Sequence, residues 1–275
     1  MITLPSRLRM GVPVVDTDNG PDVSSPTYST KSAGSIAVSP QDISFSSNGL
    51  NMYVMDGSAD AVVWFTLTTA WDVSTLTQQY NVSVATYESA PKGIHIHPTG
   101  EKVWFCGTSG DDINEFTLST PYALASATSP YVTSTIGNLS CLHFDVTGTH
   151  VYTGSGEVAY ELSLSTAWDL STYTLEHTTT GVFDTAKDTD ITGIFINDAG
   201  TKLYIIDNKD DDIRQYTLST PFDLSSKSAT ADVTVDLSTN SRDPSGLFFN
   251  ANDSTATKMF IADDSGNDVD VYTIP

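Results

Sequence analysis

The chain has 275 residues, 39% of them hydrophobic and 10% aromatic, a composition that builds a core rather than a disordered tail. Its 12 basic against 34 acidic residues leave a formal net charge of −22. That balance opposes attraction to nucleic acid or to an anionic membrane, which clustered Lys and Arg would supply. No apolar run is long enough for a membrane-spanning helix, so membrane insertion is not expected.

The first ten residues, Met1 to Met10, lack the apolar stretch of a secretory leader, which speaks against export by that route. Residues 1–33 carry Pro5, Pro13, Gly20-Pro21 and Pro26 with little periodicity, the pattern of an extended arm. The arm holds more apolar residues than a solvated tail would. It is therefore expected to dock, with Ile2, Leu4, Arg7, Leu8, Arg9 and Met10 facing a partner. A short β-prone segment follows, Gly34 to Ser39.

From there the chain repeats itself. An aromatic or Leu anchor precedes Thr-Leu or Ser-Leu in Phe65-Thr66-Leu67, Phe116-Thr117-Leu118, Leu162-Ser163-Leu164 and Tyr216-Thr217-Leu218, and a last copy reads Tyr272-Thr273-Ile274. The anchors are 51, 46, 54 and 56 residues apart. Each unit opens on a short apolar strand: Ile43-Ser44-Phe45, Ile94-His95-Ile96, Leu142-His143-Phe144, Ile194-Phe195-Ile196, Leu247-Phe248-Phe249. A polar turn follows, with Gly49, Gly100, Gly148 or Gly200 in four of the five units, then a second strand, an acidic turn and the anchor strand. β-Prone stretches such as Tyr80–Val84 and Ala231–Val235 supply a fourth strand. Units of this length with four strands are propeller blades. The predicted fold is all-β, a five-bladed β-propeller over 34–275 preceded by the arm. The fifth unit stops after its third strand, so Gly34–Ser39 is expected to supply the missing outer strand and close the ring, removing an exposed edge.

After four of the five anchors comes Ser-Thr or Thr-Thr, Ala or Pro, an aromatic, then a segment of the Asp-Leu-Ser type: Trp71, Tyr122, Trp168 and Phe222 hold the aromatic place. The segment reads as one helical turn with Thr220 as cap and Pro221 at its first position. The aromatic is expected to wedge against the blade rim.

The first strands should line the axis with Ser44, His95, His143, Phe195 and Phe248. Two residues on come Ser46, His97, Asp145, Asn197 and Asn250. His and Asp converging at a channel mouth suit a transition metal or acid–base work, although inter-blade hydrogen bonding accounts for the same residues. The acidic turns would suit Ca²⁺, best at Asp207, Asp210 and Asp212, but lack the full Ca²⁺-loop pattern, and Asp, Asn, Ser and Gly are also what tight turns require. No resident cofactor is expected otherwise. Gly-x-Ser-x-Gly and phosphate-loop motifs are missing. Cys141 and His143 share a strand face, a weak basis for a thiolate. Cys106 and Cys141 are too few for a disulfide scaffold, are not spaced for zinc, and read as buried free thiols.

The unit Tyr216 to Ser225, following Lys202-Leu203-Tyr204-Ile205-Ile206-Asp207, resembles β-propeller repeats in structural proteins of tailed bacteriophages, notably marine ones. Similar repeats occur in bacterial surface proteins, and the unit is more distantly similar to lactonase-like propellers. Two copies depart from the pattern: Leu162 replaces the aromatic anchor, and Ala123 replaces Asp. The phage resemblance implies a non-enzymatic virion protein, assembled in the host cytoplasm, bound to other virion proteins through its arm and displaying its propeller toward a host-surface glycan or protein. A bacterial surface or carbohydrate-binding module is the alternative. A lactonase-like enzyme, which would hold a metal in the channel, is the third.

Overall fold

Each repeat folds into one four-stranded antiparallel sheet, and the five sheets stand around a common axis as a five-bladed propeller. The computed structural model describes residues 20–32, 35–128, 130–178, 183, 190–251 and 255–275. Strand β1 (Thr27–Lys31) precedes blade 1, made of β2 (Pro40–Phe45), β3 (Asn51–Asp56), β4 (Ala61–Leu67) and β5 (Leu76–Ser83). Blade 2 holds β6 (Pro91–Ile96), β7 (Lys102–Gly107), β8 (Ile113–Thr117) and β9 (Tyr131–Val132). Blade 3 holds β10 (Cys141–Phe144), β11 (His150–Ser155), β12 (Val158–Leu164) and β13 (Tyr173–Thr178). Blade 4 holds β14 (Ile191–Ile196), β15 (Lys202–Asp207), β16 (Asp212–Thr217) and β17 (Val233–Asp236). Blade 5 adds β18 (Pro244–Phe249), β19 (Lys258–Asp263) and β20 (Asp268–Thr273).

The inner strands share one register. Ser44, His95, His143, Phe195 and Phe248 pair with Tyr53, Trp104, Tyr152, Tyr204 and Phe260. The core consists of five apolar layers, each between neighbouring blades. Phe45, Met52 and Phe65 of blade 1, for example, pack on Phe260, Val269 and Val271 of blade 5.

Ring closure falls on a different segment from the one expected. The outer strand of blade 5 is β1, paired with β20 from Thr27↔Thr273 to Lys31↔Asp270. Of the expected segment, residues 35–39 instead carry the chain into β2, and Ile36 and Ala37 are both buried between blades 5 and 1. Two adjacent buried residues cannot belong to a half-exposed strand, whose side chains alternate. The outer strand of a blade is solvated, so the polar, β-branched Thr27-Tyr28-Ser29-Thr30-Lys31 suits it, and every one of its residues is exposed or nearly so. Residues 20–32 thus act as part of the propeller, with Val23 fully buried between blades 4 and 5.

The repeated aromatic forms a lock. Trp71, Tyr122, Trp168 and Phe222 all take left-handed backbone angles, φ 62°, 65°, 62° and 66°. A helix cannot pass through such a residue, so the short 3₁₀ turn starts after it. The cap is accordingly Asp72, Asp169 or Asp223, accepting from the amide two residues on, not Thr220. Ala123 provides no side-chain cap in blade 2. Each aromatic amide donates to the carbonyl of the turn glycine of its own blade, Trp168 N to Gly148 O at 2.8 Å, for example, and the ring lies flat against that glycine.

The carbonyl of each locked aromatic is then taken by the preceding blade around the ring. Tyr53 Oη donates to Tyr122 O, Lys102 Nζ to Trp168 O, Tyr152 Oη to Phe222 O and Lys258 Nζ to Trp71 O. Blade 5 ends before it makes a lock, and Pro21 O stands in its place, accepting from Tyr204 Oη at 2.8 Å.

Two glycines of blade 3 separate the contributions to this lock. A Cβ on Gly148 (φ 69°) would sit 2.2 Å from the Trp168 ring, whereas one on Gly156 (φ 55°) meets nothing within 4 Å. Gly156→Ala should cost about 1 kcal/mol, the left-handed penalty alone. Gly148→Ala should cost about 3 kcal/mol, because the ring must also leave its seat. Chemical denaturation of both variants checks this, and equal losses would refute the lock.

Candidate functional site

The five expected axial residues, Ser44, His95, His143, Phe195 and Phe248, all border one cavity of about 340 Å³. It opens on the face that carries the glycine turns, and Trp71 and Trp168 contribute to its wall. Their left-handed seats aim these rings inward from blades 1 and 3. Among the described residues no Lys or Arg borders it.

Two histidines meet there edge to face, ring centroids 5.5 Å apart. His95 also stacks at 6.2 Å on Trp168, and His143 lies 4.4 Å from the Phe195 ring. Burial holds both imidazoles neutral. The pKa of His95 is driven well below the usual value by desolvation and then by His143. That of His143 falls to about 4, mainly by desolvation. His143 is 7% exposed, and its Nε2 has no hydrogen-bond partner among the described residues. In the tautomer protonated at Nδ1, Nε2 is a bare acceptor.

The residues two positions on serve the turns instead. The Asp145 carboxylate accepts from Thr147 Oγ1 and from the amides of Thr149 and His150. Although burial opposes ionisation, these bonds and His150 hold its pKa down to about 2. Asn197 Oδ1 accepts from the amides of Thr201 and Lys202, and Asn250 Oδ1 from those of Thr257 and Lys258. Ser46 Oγ accepts from the Asn51 amide, and His97 pairs with Thr99. The His–Asp set does not converge on one point, because the first position after each inner strand must satisfy hairpin amides.

The acidic turns lie at the other end of the blades. Asp207, Asp210 and Asp212 are brought together, and the cation among them is Arg214. Its guanidinium lies 2.5 Å from Asp207, 2.7 Å from Asp210 and 2.9 Å from Asp212, and the residue is 1% exposed. The Ca²⁺ expected here would have to displace the chain's own charge. Sequence reasoning passed over Arg214, whose signal was a lone basic residue on a strand that follows four acids.

Blade 5 has the same arrangement with one exchange. Asp263 and Asp268 stand at the positions of Asp207 and Asp212, and Asp270 replaces the arginine. These three buried acids are the only group of three or more potential metal-ligating side chains within reach of one another among the described residues. Lys31 pairs with Asp268 at 2.7 Å, Ser265 and the Asp243 amide donate to Asp263, and Ser241 donates to Asp270.

Burial, and then Asp268 and Asp263, raise the pKa of Asp270 to about 6. A raised carboxyl favours the folded state at low pH, and that contribution is lost as pH climbs from the unfolded value near 4 through 6. Asp270→Asn, melted in EDTA, should therefore gain about 2 kcal/mol at pH 8 and almost nothing at pH 4. A pH-independent change would contradict the assignment.

Cys106 and Cys141 are buried free thiols, pushed up by desolvation above the ordinary range, which disfavours a thiolate beside His143. The arm residues Ile2, Leu4, Arg7, Leu8, Arg9 and Met10 lie outside the described residues.

No protein-family model and no curated protein matches the sequence. Among solved structures, a functionally unknown protein from Desulfotomaculum acetoxidans DSM 771 superposes with a TM-score of 0.46 at 17% identity, over 66% of this chain and 55% of that one. The chain thus spans just over half the length of that protein. Kuenenia stuttgartiensis hydrazine synthase superposes with a TM-score of 0.48 at 10% identity, over 86% of this chain and 95% of that one.

Proposed function

We propose that this chain is a non-enzymatic binding propeller, carried as a structural protein of a tailed-phage virion and displayed toward the host surface. Residues ahead of Gly20 would tether it to capsid or tail proteins. The phage placement rests on the resemblance of the repeat. The observation that favours binding over catalysis is the chemistry of the axial cavity: His95 and His143 are held neutral by burial, Asp145 is committed to a turn, and the walls are aromatic. Such a site can receive a ligand but presents no poised acid–base pair. The same cavity fits the alternative of a bacterial surface or carbohydrate-binding module.

The test is peptide mass spectrometry of gradient-purified particles, with the full chain and with residues 1–19 deleted. Fixed stoichiometry for the full chain and loss of the truncated chain are expected. Absence of the full chain from clean particles removes the virion reading, and incorporation of the truncated chain removes the tether.

A further inference from the structure

We propose that the axial cavity is a binding site for a neutral sugar ring, with His143 Nε2 as the acceptor for one of its hydroxyls. The inference deepens the display reading but is read out at the cavity, so it can fail while particle association stands, and the reverse.

Four observations carry it. The cavity of about 340 Å³ lies at the small end of the range of ligand sites. His143 is more than nine-tenths buried, and its Nε2 has no partner among the described residues. A buried acceptor left unpaired is costly, and a ligand O–H or N–H removes that cost. Trp71, Trp168 and Phe248 are only partly buried and border the same space, so they offer apolar surface to the C–H face of a ring.

Charge then narrows the class. The protein is strongly negative, and among the described residues the cavity has no cationic side chain to meet an anion. Of the carboxylates that border the cavity, Asp145 and Asp198, the first is spent on the Thr149 and His150 amides, and the desolvation that keeps His95 and His143 unprotonated would oppose an ammonium beside those rings. A neutral ring with hydroxyl donors on its edge and C–H groups on its faces meets both conditions.

The test uses the full chain and four probes: galactose, N-acetylglucosamine, glucosamine and glucuronate. Binding is followed by tryptophan fluorescence and by ligand-observed NMR. Saturable binding of at least one neutral sugar, in about the millimolar range, is expected, with the charged pair weaker.

His143→Leu should weaken binding at least about tenfold while leaving the melting temperature equal or higher, since it deletes an unpaired polar atom. His143→Gln, which restores an acceptor, should recover part of the affinity. A merely structural histidine would move stability and not show this split. Absence of saturable binding by either neutral sugar, preference for a charged one, or undiminished binding by His143→Leu would each overturn the assignment.

Discussion

Deleting residues 1–33 is expected to destabilise the propeller by about 5 kcal/mol, whereas deleting 1–19 should leave its melting unchanged. The longer deletion removes three things at once. It takes β1 from the edge of β20, where Ser29 Oγ also donates to Val271 O at 2.9 Å. It empties the place of Val23, fully buried between blades 4 and 5, a loss of about 2 kcal/mol for such a side chain. It also strips Tyr204 Oη of the Pro21 carbonyl, leaving a buried hydroxyl unpaired at about 1–3 kcal/mol. Tyr28, packed edge-on against Tyr272 at 5.6 Å, goes as well. Denaturant unfolding of the two truncations checks the prediction. Equal stability of both would mean that β1 is dispensable and that three strands suffice for blade 5.

Arg214→Met should cost about 4 kcal/mol, roughly 10 °C in melting temperature for a chain of this size. The reason is what it leaves behind. Asp207 and Asp212 are 0% and 2% exposed, so removing the guanidinium strands two buried carboxylates beside a third. Arg214→Lys should be intermediate, because an ammonium supplies the charge without the fork that reaches three acids. Combining Arg214→Met with Asp207→Asn and Asp212→Asn should recover much of the loss, since it removes the uncompensated charge. Millimolar Ca²⁺ should raise the melting temperature of Arg214→Met more than that of the parent protein, since both keep the blade 5 acids. A parent protein that gains as much from Ca²⁺ as the variant would return the acidic turn to the role of an ion site.

The repeat was legible because each unit buries the same face of the same strand, so composition at equivalent places is constrained by equivalent neighbours. That is why the register of Ser44, His95, His143, Phe195 and Phe248 could be read from the sequence and is found around one cavity. The closing strand was harder. Hydrophobicity marks buried strands, and Thr27–Lys31 is an exposed one held by backbone pairing, while the more apolar Ile36 and Ala37 serve a packed connection. The left-handed seats of Trp71, Trp168 and their equivalents were not legible, because a Ser-Thr-Pro-aromatic-Asp string also describes an ordinary helix start. Nor could the string reveal that the carbonyl of each such residue is claimed by a side chain of the preceding blade, about 70 residues away for Tyr152 and Phe222. The resemblance that suggested a virion rests on such strings as well, and the shared string constrains the blade more tightly than the role.

The sheet that contains both β1 and β20 has a consequence for biosynthesis. Contacts such as Ser29 with Val271 span 242 residues, so a growing chain can zip blades 1 to 4 from local hairpins but must hold its first segment in waiting until the last strand leaves the ribosome. The slow step of folding is then the final one. A chain stalled or cleaved anywhere before Val269 would expose a fresh strand edge at each end of an open arc, and two such arcs could satisfy each other more readily than either could satisfy itself.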